Sequence, residues 1–208
     1  MAMGAKTGIL VHADGDVAEV LRRAPPLDRD ACRLLVSRLY AGERVEEIGD
    51  GCLGESAYPP EGVVYVGCFP GVEIVTDLAL MVDRPSELFP RHVARGGRRT
   101  YLHAMHSVVD WLAFGVWHDG VQIRSLSMSP DDGIMESVGD PLPFELPYWA
   151  GEHPADPHHD SDYPFPFHPL DLGEAALEFF FGFRMEGHPT GIAPCDIPLM
   201  GFRVDGHV

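Results

Sequence analysis

The chain has 208 residues, of which 45% are apolar and 23% charged, enough to build a buried core and too apolar for disorder throughout. Fifteen Lys and Arg stand against 32 Asp and Glu, a formal charge of −17. That field repels phosphate backbones and anionic headgroups, so broad electrostatic binding to nucleic acid or to a membrane surface is excluded. The charge is uneven: residues 125–183 carry 12 acids and no Lys or Arg.

In chain order, residues 7–13 (TGILVHA) read as a buried strand that ends at Asp14-Gly-Asp16. Asp16 and Glu19 fit a capping pattern over DVAEVLRR, which Pro25 and Pro26 terminate. Ala31, Leu34, Leu35 and Leu39 recur at helical spacing over 29–41, behind Asp28 or Asp30 as cap. VEEIGD and GCLGESA are weaker strand candidates. VVYVGC (63–68) and VEIVT (72–76), joined by F-P-G, read as adjacent strands. Residues 84–95 allow a short helix limited by Pro90.

The strongest local signal lies at 110–128, where Asp119-Gly120 separates two alternating runs and predicts a two-residue hairpin turn. In the simple register Val116 faces Ile123, Gly115 faces Arg124 and Trp117 faces Gln122. A slip of one residue would exchange the two faces. Residues 129–169 are rich in Pro, acids and aromatics and have no sustained period. They are expected to wrap irregularly over the sheet, burying Phe144, Tyr148, Trp149, Phe165 and Phe167. Pro169 opens a helix that Gly182 ends, and MGFRV suggests a final strand. The expected fold is α+β: one domain over 1–208, with a mainly antiparallel sheet around a central hairpin, two or three flanking helices and the long Pro-rich wrap.

Cys32, Cys52, Cys68 and Cys195 show no C-x-x-C spacing, and Ile9-Leu10-Val11 is too short for a signal-peptide core. No run approaches 18 apolar residues. These features point to the cytoplasm and reduced thiols. Phosphate-binding glycine loops, H-E-x-x-H and G-x-S-x-G are all missing.

Two constellations remain. Arg124 is the lone Lys or Arg among fourteen acids between residues 100 and 183. Opposite Gly115 and diagonal to Trp117, it would have room to lie across the sheet and stack on the indole. It would either pair with Glu136 or Glu145 and pin the wrap, or bind an anionic group in a tryptophan-lined groove. The candidate ligand-binding set is therefore Arg124, Trp117, Trp149, Tyr148, Glu136 and Glu145. The second constellation is His103-x-x-His106-x-x-x-Asp110, with Asp14 and Asp16 at a strand end. Two imidazoles and carboxylates suit a divalent metal, the one cofactor the sequence admits. On a strand, however, His103 and His106 point to opposite faces. His153, His158, His159, Asp160, Asp162 and His168 form a further His-rich stretch, expected to be a solvated loop.

HADGDV, GCFPGVEIV, YLHAMHSVVDWLAFGVW, RSLSMSPDDGIMESVGDPLPFELPYWAGE and PFHPLDLGEAALEFFFGF together resemble an uncharacterised family of high-GC Gram-positive bacteria. The resemblance implies a bacterial, single-domain, cytoplasmic protein and assigns no activity or cofactor. One lysine against fourteen arginines fits a GC-rich genome. The first functional expectation is a non-catalytic binding or accessory module that recognises a small ligand or protein partner in the groove between the sheet and residues 129–149. The alternative is a metal-assisted hydrolase using the His/Asp set.

Overall fold

The computed structural model describes residues 5–93, 96–155 and 163–205. His158, His159, Asp160 and Asp162 therefore lie outside the described residues. Among the described residues, nine antiparallel strands form one sheet. In chain order they are β1 (Lys6–Ala13), β2 (Arg44–Cys52), β3 (Val63–Phe69), β4 (Val72–Asp77), β5 (Arg99–His106), β6 (Trp111–His118), β7 (Val121–Ser129), β8 (Gly133–Val138) and β9 (Pro198–Asp205). Their order across the sheet is β2-β9-β3-β4-β1-β5-β6-β7-β8. The α-helices are α1 (Val17–Arg22), α2 (Arg29–Leu39), α3 (Leu53–Ser56), α4 (Pro90–Val93), α5 (Leu146–Trp149) and α6 (Pro169–Phe181). Among the described residues no helix is long and apolar enough to cross a membrane.

Both faces of the sheet are covered, which explains why β1 reads as a continuous apolar run rather than an alternating one. Ile9, Val11, Tyr101, Phe114 and Leu126 pack with Leu172, Leu177 and Phe181 of α6 on one face. Leu10, Val64, Val66, Val75, Leu102 and Trp117 pack with Leu35, Val36 and Leu39 of α2 on the other. The helix signals act as the sequence implies. Asp16 accepts from the Glu19 backbone N–H and Asp28 from that of Ala31, and Gly182 ends α6 in the left-handed conformation.

Three local expectations are corrected. LGES of the GCLGESA candidate is the helical turn α3, because the chain leaves β2 at Cys52. Residues 129–169 are not wholly irregular, since β8 pairs with β7 as an edge strand. The signal was present in Asp132-Gly133: Ser129 and Asp132 bond to each other across this turn, and Gly133 has φ 72°. A bulge between Ser127 and Met128 breaks the alternation that would have exposed the strand.

The third correction concerns the hairpin register. Asp119 and Gly120 both have positive φ, 52° and 75°, as a primed turn requires. Trp117 does pair with Gln122. Ile123 is then an extra residue, and Arg124 pairs with Val116 instead of Gly115. The bulge moves Arg124 to the α6 side of the sheet, while Trp117 stays on the α2 side. Gly115 makes room for the Trp117 ring and not for a guanidinium: a Cβ there would lie 2.3 Å from Trp117 Cη2. Gly115→Ala should destabilise the protein by about 1–3 kcal/mol in urea unfolding through this overlap.

Candidate functional site

Arg124 is 1% exposed and Glu145 is fully buried. The guanidinium donates from Nε to Glu145 Oε1 at 2.9 Å and from Nη2 to Oε2 at 2.6 Å. Its Nη1 donates to Ser137 Oγ and to the carbonyls of Val138 and Gly139 at 3.1–3.2 Å. Phe114 lies beneath, with its ring centre 5.9 Å from the Arg124 Cζ. The same carboxylate accepts from the Leu142 backbone N–H at 2.8 Å and from Trp149 Nε1 at 3.4 Å. One buried ion pair thus joins β7, the end of β8, the following segment and α5. The guanidinium of Arg124 is enclosed by protein groups and holds the wrap against the sheet.

Of the other residues of the ligand-binding set, only Trp149 stays with this pair, through its bond to Glu145. Glu136 faces the α2 side, where it accepts from Ser125 Oγ at 2.5 Å and from the Ser86 backbone N–H at 3.0 Å. Trp117 is buried in the α2-side core. Trp149 packs edge-on against Phe167 at 4.8 Å. Tyr148 donates to the Asp171 carbonyl at 3.1 Å and stacks on His153 at 4.3 Å.

A different groove opens at the end of the sheet where β1 and β6 finish and β5 begins: of the segment after β8 only Leu142 lines it, and none of the six residues of the candidate set does. It encloses ≈ 680 Å³. That volume falls in the roughly 300–1,000 Å³ range of small-molecule sites. Tyr101, Val116, Leu142, Phe179 and Phe180 give it an apolar floor and walls. Asp14, Asp16, Arg99 and His118 stand around it. The sequence singles out only Asp14 and Asp16 of these as site candidates. Phe179 and Phe180 were hidden in the helical run EFFFG, where period alone does not say which ring reaches a cleft. The clamp shapes this groove directly, because Glu145 fixes the backbone of Leu142. Phe144 supports the floor, with its ring centre 5.0 Å from Phe179 and 5.5 Å from Phe180.

The five candidate metal ligands do not converge. Lys6 pairs with His106 and Ala13 with Arg99, so His106 and Asp14 lie at opposite ends of two paired strands. At about 3.3 Å per residue that is roughly 25 Å. Asp14 accepts from Arg98 Nε at 2.7 Å, and Asp16 caps α1. Asp110 lies 3.5 Å from His168 Nε2. His103 is fully buried between Thr7 Oγ1, 2.9 Å from Nδ1, and the Gly173 carbonyl, 3.0 Å from Nε2. The carbonyl can only accept, so Nε2 carries the proton and Nδ1 accepts from Thr7. Gly173 permits this approach: a Cβ there would lie 3.1 Å from Leu112 and 3.2 Å from Met105. Among the described residues no group of three His, Cys, Asp or Glu could hold a metal ion.

A second cleft of ≈ 640 Å³ lies beside the other half of α6 and includes Tyr148, His153, Asp171 and Glu174. Burial raises the Glu174 carboxyl to about 7, although Met185 and Glu186 backbone N–H groups donate to it. Those bonds tie the chain after α6 back onto the helix.

Breaking the clamp on one side should cost about 3–5 kcal/mol, because a buried charge loses its partner. Arg124→Met should show this loss in urea unfolding, and Arg124→Met with Glu145→Met together should recover part of it. The pH dependence has two opposed contributions. Burial lowers His103 to about 4 from 6.5, so the unfolded chain binds more protons between those values and stability falls as pH drops through that window. The full shift corresponds to about 3 kcal/mol. Glu174 has the opposite sign: its folded carboxyl is raised from 4.5 to about 7, so its contribution falls as pH rises through that window. The two contributions largely cancel in the wild type, so Glu174→Gln should expose a loss of stability between pH 6.5 and 4, and His103→Gln should turn it into a gain as pH falls, both read from denaturant midpoints across pH.

No curated protein and no solved structure matches the chain. Its sequence does match the profile of a family of unknown function (DUF6928) over residues 7–202, and the chain belongs to that family.

Proposed function

We propose that the protein is a non-catalytic binding module that takes a small organic ligand in the groove beneath Leu142. The observation that carries this reading is an aromatic floor beside an ionisable rim. Phe179 is 51% exposed there, on a scaffold fixed by a buried ion pair. A half-exposed phenylalanine in a concave site gains from being covered by an apolar ligand body. Asp14, Asp16, Arg99 and His118 offer both signs of charge for its polar end. Binding is preferred to metal-assisted hydrolysis because the His/Asp set is dispersed. Four cysteines without a disulfide, the single lysine and the acidic surface support a place in the cytoplasm of a high-GC bacterium, with reduced thiols.

The test is chemical-shift perturbation with three aromatic probes of different charge: indole, benzoate and phenethylamine. Saturable shifts at Tyr101, Val116 and Phe180 are expected for at least one probe, and Phe179→Asp should weaken them about tenfold or more. Absence of saturable shifts in the groove for all three would overturn the proposal.

A further inference from the structure

The four cysteines fall into two pairs that the sequence does not reveal. Cys32 on α2 and Cys68 on β3 are 0% and 3% exposed and lie together in the α2-side core. Cys52 ends β2, and Cys195 lies in the 3-10 turn Pro194–Asp196 that leads into β9. The Cys52 thiol raises that of Cys195, as expected of close neighbours. The surrounding backbone fixes this second contact. Cys52 pairs with Pro198 across β2 and β9, and the Leu53 N–H donates to the Ile197 carbonyl at 2.9 Å. Cys52 occupies the cap position of α3 without using its side chain as a cap. Gly54 clears the space for the partner: a Cβ there would lie 2.5 Å from Cys195 Sγ. Cys195 is exposed and Cys52 partly so, whereas the other pair is sealed.

We propose that Cys52 and Cys195 form a reversible disulfide, a modification site that locks edge strand β2 to β9. Small disulfides supply the oxidant. The Cys195 thiolate attacks one sulfur of the small disulfide and releases one small thiol, leaving a mixed disulfide. The Cys52 thiolate then attacks the Cys195 sulfur and expels the second small thiol. Two protein S–H protons are lost, and two electrons pass to the small disulfide. Among the described residues β2 pairs only with β9, so the new bond ties down an edge strand. It closes a loop over most of the chain, which restricts the unfolded state.

The site also selects its oxidant. Cys52 first, then partial desolvation, and last the nearby Glu55 and Asp196 carboxylates hold the Cys195 thiol above the usual range. On a chain of charge −17, these carboxylates favour a cationic disulfide over an anionic one.

The native protein is treated with cystamine or with oxidised glutathione and followed by intact mass and peptide mapping. The expected product loses two hydrogens, carries a Cys52–Cys195 cross-link and leaves Cys32 and Cys68 alkylatable only after unfolding. Cystamine should react several-fold faster at low salt, with the gap closing at high salt. Cys52→Ser should stop at a retained cysteamine on Cys195. Hydrogen exchange of the β2 amides should slow in the cross-linked form. A persistent mixed disulfide on the wild-type protein, or oxidation of Cys32 with Cys68 first, would overturn the proposal.

Discussion

A single carboxylate with three partners organises one end of this molecule. Glu145 receives Arg124 through both oxygens and also holds the Leu142 backbone and the Trp149 indole. A guanidinium buried this deeply is tolerated because a charge partner and further acceptors surround it. Such a pair adds less to net stability than its strength suggests, since both ions were well solvated before folding. What it supplies is position. A segment rich in proline and glycine has little regular hydrogen bonding of its own, and here it is fixed to the sheet at one point.

The groove follows from that fixed point. Leu142, whose N–H is held by Glu145, forms one wall, and Phe144, two residues on, joins the ring cluster of Phe114, Phe179 and Phe180. The other cleft of similar size lies at the opposite end of β1 and β5, beside the first half of α6. Strands buried on both faces leave ligands only the ends, where β1 turns into α1 and β5 begins. Asp14 and Asp16 lie there as a consequence of strand termination. Their own bonds, to Arg98 and to the first turn of α1, show that turn chemistry accounts for them before any ligand is invoked.

Much of the fold was legible because local and tertiary preferences agree. The α6 boundaries, the caps of α1 and α2, the β3–β4 pair and the Asp-Gly turn are each specified within a few residues. What was illegible is non-local or involves one residue too many. The bulge at Ile123 leaves no mark in the alternation of VQIRSLSM, yet it decides which layer Arg124 enters. The aromatic–guanidinium groove anticipated from Trp117 fails for this reason alone. Glu145 and Glu136 were equivalent candidates in sequence; the sheet sends one to each face. His103 looked like a ligand because of its spacing from His106, but strand geometry turns it towards α6, where Thr7 and Gly173 occupy both ring nitrogens.

That extra isoleucine means the choice of layer is encoded by chain length rather than by side-chain chemistry. Excising one position between Gln122 and Arg124 would leave every neighbouring residue type intact, yet it would turn the guanidinium away from its carboxylate and towards an apolar compartment. Insertions and deletions in this hairpin are therefore far less neutral than its exposed tip suggests.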